Sequence, residues 1–166
     1  WTRDADMNIP RGYQANTLLA DGSVFTLGGS WSGGVGNKHG EVWTAGNGWR
    51  RLSGVPVDSM VTPDASRNFG GDSHMWLIPT ANGRVLYAGP SVNMQWISTT
   101  GDGAVEPAGV RGDDTFSVNG TAVMYEAGKI LKLGGAIGYE GFDANANAFV
   151  IDTNGGFAVR RVASMA

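Results

Sequence analysis

An internal repeat is the feature that most constrains this sequence. Three segments share one pattern, in which a turn with glycine in second place is followed by an apolar stretch and a glycine-containing exit. They are DGSVFTLGG at 21–29, NGRVLYAGP at 82–90 and AGKILKLGG at 127–135. One of the two spacings between their starting positions is longer, and the other shorter, than the period of about 50 residues that is typical of kelch repeats. The pattern predicts three copies of one β-unit.

Each copy is surrounded by the same further elements. One strand-like run precedes it and two follow, so that each unit has four antiparallel strands, which is the blade of a β-propeller. We therefore predict an all-β fold, a kelch-type β-propeller of about three four-stranded antiparallel blades, incomplete as a propeller. Residues 1–166 would form this partial propeller, with blades at approximately 11–54, 72–109 and 119–163. A generic β-sandwich with coincidental turns is the alternative, which three matched copies disfavour.

Composition agrees with a β-rich chain and excludes several functions. The 166 residues include 27 glycines, six tryptophans and no cysteine, which indicates many tight turns between aromatic-bearing strands and excludes disulfides within the chain. The formal net charge of -3 is spread along the sequence, so no basic patch predicts nucleic-acid binding. No apolar run reaches the roughly 20 residues that a membrane span needs.

Three blades are fewer than the four to eight with which propellers usually close. Two edge strands would stay exposed and invite pairing with another chain. We therefore expect the partner to be the remaining propeller blades, in the same protein or another chain, or a second copy of this chain. The chain is also expected to begin, at Trp1, in the last strand of a preceding blade.

Long and varied segments are predicted to lie together at one end of the blades. They are 30–39, 53–73, 110–120 and 136–146, and function on a rigid scaffold concentrates in such loops. If Asp21-Gly22 forms a two-residue turn, Tyr13 faces Ser30, beside Trp31. The indole of Trp31 would then either shield the phenol of Tyr13 or form with it an ordinary aromatic pair that seals the blade end.

The run RGYQANTLLADGSVFTLGGSWSGGVGNKHGEVW, residues 11–43, resembles the corresponding stretch of the galactose oxidase family of copper radical oxidases. The resemblance continues through 72–77, 88–96 and 119–135. It implies that Tyr13 is a copper ligand and, once cross-linked to a cysteine, the site of the radical, and that Trp31 stacks over the cross-link. It also implies a secreted parent protein that holds copper and a Tyr-Cys radical cofactor and oxidises a primary alcohol or aldehyde with O2, giving H2O2.

Departures from the family pattern limit what this chain can do alone. The partner cysteine, the second tyrosine and both histidine ligands of the family have no counterpart here, because the chain has no cysteine and His39 and His74 match no ligand. We therefore expect the isolated 166-residue chain to hold no copper and to be inactive.

The expected substrate also differs from the sugar after which the family is named. Phe69-Gly70 stand where galactose oxidase has a Tyr-Arg pair that holds sugar hydroxyls, so a small alcohol or aldehyde is favoured over galactose. The alternative for the whole protein is a non-catalytic kelch module that binds a protein or glycan through its loop face.

Overall fold

The computed structural model describes residues 2–30, 37–64 and 71–166. In these ranges twelve strands form three four-stranded antiparallel sheets, each in sequential order, which we call blades 1, 2 and 3. Blade 1 contains β1 (Ala15–Leu18), β2 (Val24–Leu27), β3 (Glu41–Thr44) and β4 (Gly48–Arg51); blade 2 contains β5 (Trp76–Pro79), β6 (Val85–Gly89), β7 (Asn93–Ser98) and β8 (Ala104–Val110); blade 3 contains β9 (Thr121–Glu126), β10 (Lys129–Leu133), β11 (Ala148–Asp152) and β12 (Ala158–Arg161).

The predicted all-β architecture of three propeller blades is confirmed. A single 3-10 turn, Asp58–Met60, is the only helical element in the described residues, and none there is long and apolar enough to cross a membrane. Each blade is a meander, so its first and third connections lie at one end of the sheet and its second connection lies at the other. We call the end with the short hairpin turns the turn end, and the end with the longer connections the loop end.

The core consists of two apolar layers, each between neighbouring blades. One layer buries Phe25 and Leu27 of blade 1 against Leu77 and Tyr87 of blade 2. The other packs the opposite face of blade 2, including Leu86, against blade 3. This sheet-on-sheet burial follows from the two-residue period of strands, which places alternate side chains on opposite faces. Blade 2 is therefore covered on both faces.

The turn between β1 and β2 differs from the two-residue turn that the sequence predicted. Leu18 pairs with Val24, and the amide of Leu19 donates to the carbonyl of Ser23 at 2.9 Å, which leaves a loop of three residues. Gly22, at φ 83°, takes the left-handed conformation that such a loop requires of its last residue. The register of the β1–β2 ladder therefore differs by one residue from the predicted one. Ser30 is bridged to Gly12 rather than to Tyr13, in a separate parallel bridge outside this ladder.

The beginning of the chain also differs from expectation. Residues 2–9 form no strand, so the predicted last strand of a preceding blade is not observed among them. They lie against the outer strands of blade 1, where the indole nitrogen of Trp43 donates to Asp4 at 2.8 Å and that of Trp49 donates to the carbonyl of Ala5 at 3.0 Å. Two of the tryptophans thus hold this segment by hydrogen bonds as well as by packing.

Candidate functional site

One backbone conformation recurs at the loop end of all three blades. Tyr13, His74 and Asn119 each lie two residues before the first strand of their blade, and their φ angles are 59°, 56° and 60°. Positive φ is uncommon outside glycine and costs about 1 kcal/mol or more. The same unusual geometry therefore presents a side chain at the equivalent place in each blade.

The segment that leads to Tyr13 is fixed by a buried ion pair. Arg11 donates to Glu41 at 2.8 Å, and both side chains are fully buried. The same guanidinium donates to the carbonyls of Gly28 at 2.9 Å and His39 at 2.7 Å. Its partner Glu41 also accepts from the backbone amide of Asn8 at 2.9 Å. The fork of donors on arginine therefore ties the chain before Tyr13 to two strands of blade 1.

Tyr13 itself is 51% exposed, and its ring contacts blade 2. Its ring centroid lies 4.9 Å from that of His74, with the planes tilted by 55°. The backbone amide of His74 also donates to the carbonyl of Tyr13 at 3.0 Å. Burial lowers the pKa of His74, which favours its neutral form. A phenol ring open to solvent is thus supported from one side by a neutral imidazole.

Tyr139 of blade 3 continues this aromatic contact. Its ring stacks on His74 with centroids 6.3 Å apart and an interplanar angle of 11°. Its backbone amide donates to the carboxylate of Asp64, in the connection between blades 1 and 2, at 2.7 Å. We call Tyr13, His74 and Tyr139 the aromatic cluster, and each of its rings comes from a different blade.

Asp72 connects blade 2 to blade 1 two residues before His74. Its carboxylate accepts from the amide and the hydroxyl of Ser30, both at 2.8 Å, and its carbonyl accepts from the amide of Gly29 at 3.0 Å. Burial raises the pKa of Asp72, while the two hydrogen bonds from Ser30 oppose the rise. The segment that carries His74 is therefore anchored to Ser30, which is itself bridged to Gly12.

A second buried ionic cluster lies farther along the loop end, between blades 2 and 3. Asp114 accepts from Arg111 and from Lys132, each at 2.7 Å, and all three side chains are fully buried. Arg111 also donates to the carbonyls of Ala88 and Ser91 of blade 2. Burial raises the pKa of Asp114, but the hydrogen bonds from Lys132 and Arg111 outweigh it and hold the pKa below its usual range. This cluster stabilises the connection between the blades.

The described residues around Tyr13 do not include a full set of copper ligands. The phenol oxygen of Tyr13 suits copper(II) as a single oxygen ligand, whereas a copper site needs several ligands in tetragonal geometry. Residues 2–30, 37–64 and 71–166 contain no group of three or more histidine, cysteine, aspartate or glutamate side chains that could hold a metal ion. Any copper bound at Tyr13 would need its other ligands from outside this part of the chain.

The predicted site residues are placed only in part. Tyr13 lies at the loop end, as expected from the sequence, whereas Trp31, Phe69 and Gly70 lie outside the described residues. Sequence reasoning assigned no site role to His74 or Tyr139. The repeat itself could have revealed His74, since it aligns with Tyr13 two residues before a first strand.

The fold and the exposed tyrosine define a class: consecutive blades of a β-propeller that present a phenol at their loop end. The chain is 43% identical over 158 residues to galactose oxidase of Gibberella zeae, which covers 91% of the chain and 23% of that protein. It also superimposes with a TM-score of 0.88 and 41% identity on a solved structure described as a fungal alcohol oxidase of the AA5 family in complex with copper.

The chain therefore belongs to the galactose oxidase family. The match to the alcohol oxidase covers 96% of the chain and 34% of that structure, so the chain spans a quarter to a third of these relatives. No protein-family model matches the chain.

Proposed function

We propose that this chain is the Tyr13-bearing part of a copper radical oxidase. The complete protein would oxidise a primary alcohol to an aldehyde, or an aldehyde, as its hydrate formed with water, to an acid, while O2 takes up the two electrons and two protons to give H2O2. The observation that carries the proposal is the position of Tyr13. Its half-exposed phenol sits in a left-handed turn at the loop end of a chain that is 43% identical to galactose oxidase.

Tyr13 would supply one phenolate ligand to copper, and the remaining ligands and the cross-linking cysteine would come from outside this chain. Copper together with a Tyr-Cys radical, when assembled, would accept the two electrons that the alcohol loses. The chain's own contribution would be to hold Tyr13 in place through the anchored Arg11 and the ring contact with His74. The family resemblance implies that Trp31, which lies outside the described residues, would shield the ring. The isolated chain would be inactive, and the complete kelch-type enzyme would act outside the cell.

The substrate proposal depends on Phe69-Gly70, which lie outside the described residues. Without an arginine at this place, the site lacks a fork of donors suited to vicinal hydroxyls. We therefore propose that small primary alcohols and aldehydes are better substrates than galactose. The name of the solved relative, an alcohol oxidase, supports this order.

A peroxide assay of the complete, copper-loaded protein tests the proposal. The panel would contain short primary alcohols, small aldehydes and galactose, with the copper-free protein and the isolated 166-residue chain plus copper as controls. We expect kcat/KM for at least one alcohol or aldehyde to exceed that for galactose about tenfold or more. Both controls should produce no peroxide. Absence of peroxide with every substrate would refute the proposal.

A non-catalytic kelch module is the second candidate. The lack of a complete metal-ligand group in the described residues favours it. Such a module would bind a protein or glycan through the loop end. It would take up no copper at a stoichiometric level and would show no radical absorption, so metal analysis of the complete protein separates the two candidates.

We also propose that the outer face of blade 3 is covered by a further blade. Phe25 pairs with Val42 in blade 1, and Leu86 with Trp96 in blade 2; both pairs lie in the layers between blades. The equivalent pair in blade 3, Leu131 with Val150, is only half-buried, because no blade within the described ranges packs on its face.

The same outer face leaves other apolar side chains exposed. Val123 is 51% exposed and Tyr125 is 53% exposed, although both lie on the first strand of the blade. Apolar surface of this kind is normally buried against a partner. Sedimentation of the isolated chain should therefore show self-association, and a monodisperse monomer would argue that this face needs no partner.

A further inference from the structure

The aromatic cluster gives His74 a place beside Tyr13 that the family resemblance did not assign. The two residues make two independent contacts: the rings, at 4.9 Å between centroids, and the backbone hydrogen bond from His74 to the Tyr13 carbonyl at 3.0 Å. One contact limits the rotation of the phenol, and the other fixes the backbone from which the phenol projects.

The backbone that carries His74 is itself anchored to blade 1. Asp72 accepts two hydrogen bonds from Ser30, and its carbonyl accepts from Gly29. Ser30 is bridged to Gly12, the residue directly before Tyr13. These contacts therefore fix the backbone of His74 and the backbone of Tyr13 relative to each other.

Blade 3 supports His74 from the other side. The ring of Tyr139 lies nearly parallel to the imidazole, at an interplanar angle of 11°. Its backbone is held by Asp64 at 2.7 Å. The imidazole thus contacts rings from two other blades, which restricts its own freedom.

Fixing the phenol matters because Tyr13 is 51% exposed. An exposed side chain samples several rotamers, and ordering it has an entropic cost that neighbouring contacts must offset. A ligating residue has to be held within about 0.5 Å of its productive position. Packing against a neighbour that is already ordered achieves this without a further ligand.

We propose that His74 is a positioning residue for Tyr13, holding the phenol ring in the orientation that the oxidase site requires. This role rests on the proposed function. It acts through packing and the backbone hydrogen bond and needs no proton transfer by the imidazole.

Variants of the complete protein separate the ring contact from the backbone geometry. His74→Asn removes the ring but keeps a side chain that tolerates the left-handed conformation. His74→Phe keeps a planar ring of similar thickness. His39→Asn is the matched control, because it makes the same change at the other histidine, whose described hydrogen bond is made by its backbone carbonyl.

The first readout uses the copper-free protein labelled with 3-fluorotyrosine, in which Tyr13→Phe identifies the fluorine signal of Tyr13. In His74→Asn this signal should move toward that of a solvent-exposed tyrosine, whereas His74→Phe and His39→Asn should leave it near its native position. An unchanged signal in folded His74→Asn would overturn the proposal.

The second readout uses the copper-loaded protein. In His74→Asn the radical absorption and kcat should fall about tenfold or more, with KM changed less than about twofold. His74→Phe should recover most of this loss, and His39→Asn should match the native protein. Native kcat and radical absorption in His74→Asn would also overturn the proposal.

The two proposals fail in different ways. If the native protein shows neither radical nor peroxide, the oxidase function is wrong, whatever the histidine variants do. If the native protein is active and His74→Phe loses as much kcat as His74→Asn although both keep the native thermal midpoint, ring packing is not what positions Tyr13.

Discussion

The turn end and the loop end of the same blades are built in different ways. At the turn end, Gly22 and Gly83 adopt left-handed φ angles of 83° and 76°, and a Cβ added to either would meet nothing within 4 Å. At the loop end, Gly28 has a φ of 72°, but a Cβ there would overlap the backbone carbonyl oxygen of Asp72 in the next blade. The geometry of these two turns is therefore local, whereas that of the loop at Gly28 depends on the neighbouring blade.

This difference explains why a site can be placed at the loop end. Side chains from separate blades meet there, as Tyr13 meets His74 and as Arg111 meets Lys132 through Asp114. Among the described residues, turn-end contacts between blades are fewer and are made through the backbone: the turn between β7 and β8 accepts from Arg50 of blade 1 at the carbonyl of Thr99, 2.9 Å away. Substitutions at the two ends should consequently differ in cost.

The largest expected effect on stability follows from removing the centre of the buried ionic cluster. Asp114→Ala leaves Arg111 and Lys132 buried without their shared carboxylate. Loss of one partner from a buried ion pair costs about 3–5 kcal/mol. Denaturant unfolding of the complete protein should show this loss. As the turn-end control, Asp21→Ala removes an exposed carboxylate that accepts from Ser23 and should cost much less, because water replaces the lost hydrogen bonds. Equal losses of unfolding free energy in the two variants would contradict the expected difference between the loop end and the turn end.

A smaller effect is expected from a matched pair of glycines in blade 1. Gly22→Ala should cost about 1 kcal/mol, because only the positive φ opposes the new side chain. Gly28→Ala has a similar φ but also forces blade 2 away at Asp72, and should cost at least about 2 kcal/mol more. Unfolding free energies from the same denaturant series would measure both, and similar values would mean that the blades are not tightly joined here.

The smallest expected effect is a pH dependence. The pKa of Asp114 is held below its usual range, so its ion pairs stabilise the fold at pH values above the ordinary aspartate pKa. This contribution is lost as the pH falls through the lowered pKa. The difference in unfolding free energy between the native protein and Asp114→Asn should therefore shrink on acidification below about pH 4.

The ionisation of Asp72 should change stability with pH in the opposite direction to that of Asp114. Its pKa is raised by burial, so its ionisation opposes folding as the pH rises through that pKa. Asp72→Asn should therefore lose stability relative to the native protein mainly on the acidic side of this range. Parallel pH profiles for the two asparagine variants would contradict the assigned pKa directions.

The sequence predicted the strands well because its signals are local. Glycine-containing turns and apolar stretches placed all four strands of each blade, and the aligned copies predicted the propeller. The turn at Asp21-Gly22 was predicted one residue too short, since a dipeptide with a left-handed preference fits both two- and three-residue loops. The predicted pairing of Tyr13 with Ser30 is also not formed, because Ser30 makes a separate parallel bridge to Gly12.

The candidate site was less predictable than the fold. Tyr13 could be selected because its motif resembles a known family, but its partners depend on how neighbouring blades pack. His74 and Tyr139 are separated from Tyr13 by many residues, and no local pattern shows that their rings meet. Asp72 likewise acquires its partner Ser30 only through the contact between blades.

The central claim, that Tyr13 is the copper-binding and redox-active residue, is tested most directly by comparing two tyrosine-to-phenylalanine variants of the complete, copper-loaded protein. Tyr125, on the first strand of blade 3, is the control, because the matched change removes one hydroxyl from a tyrosine that has no part in the proposed site. Tyr13→Phe should abolish the radical absorption and lower peroxide production more than about a hundredfold, with the fold intact, while Tyr125→Phe retains both. Peroxide production by Tyr13→Phe at the native rate would contradict the account.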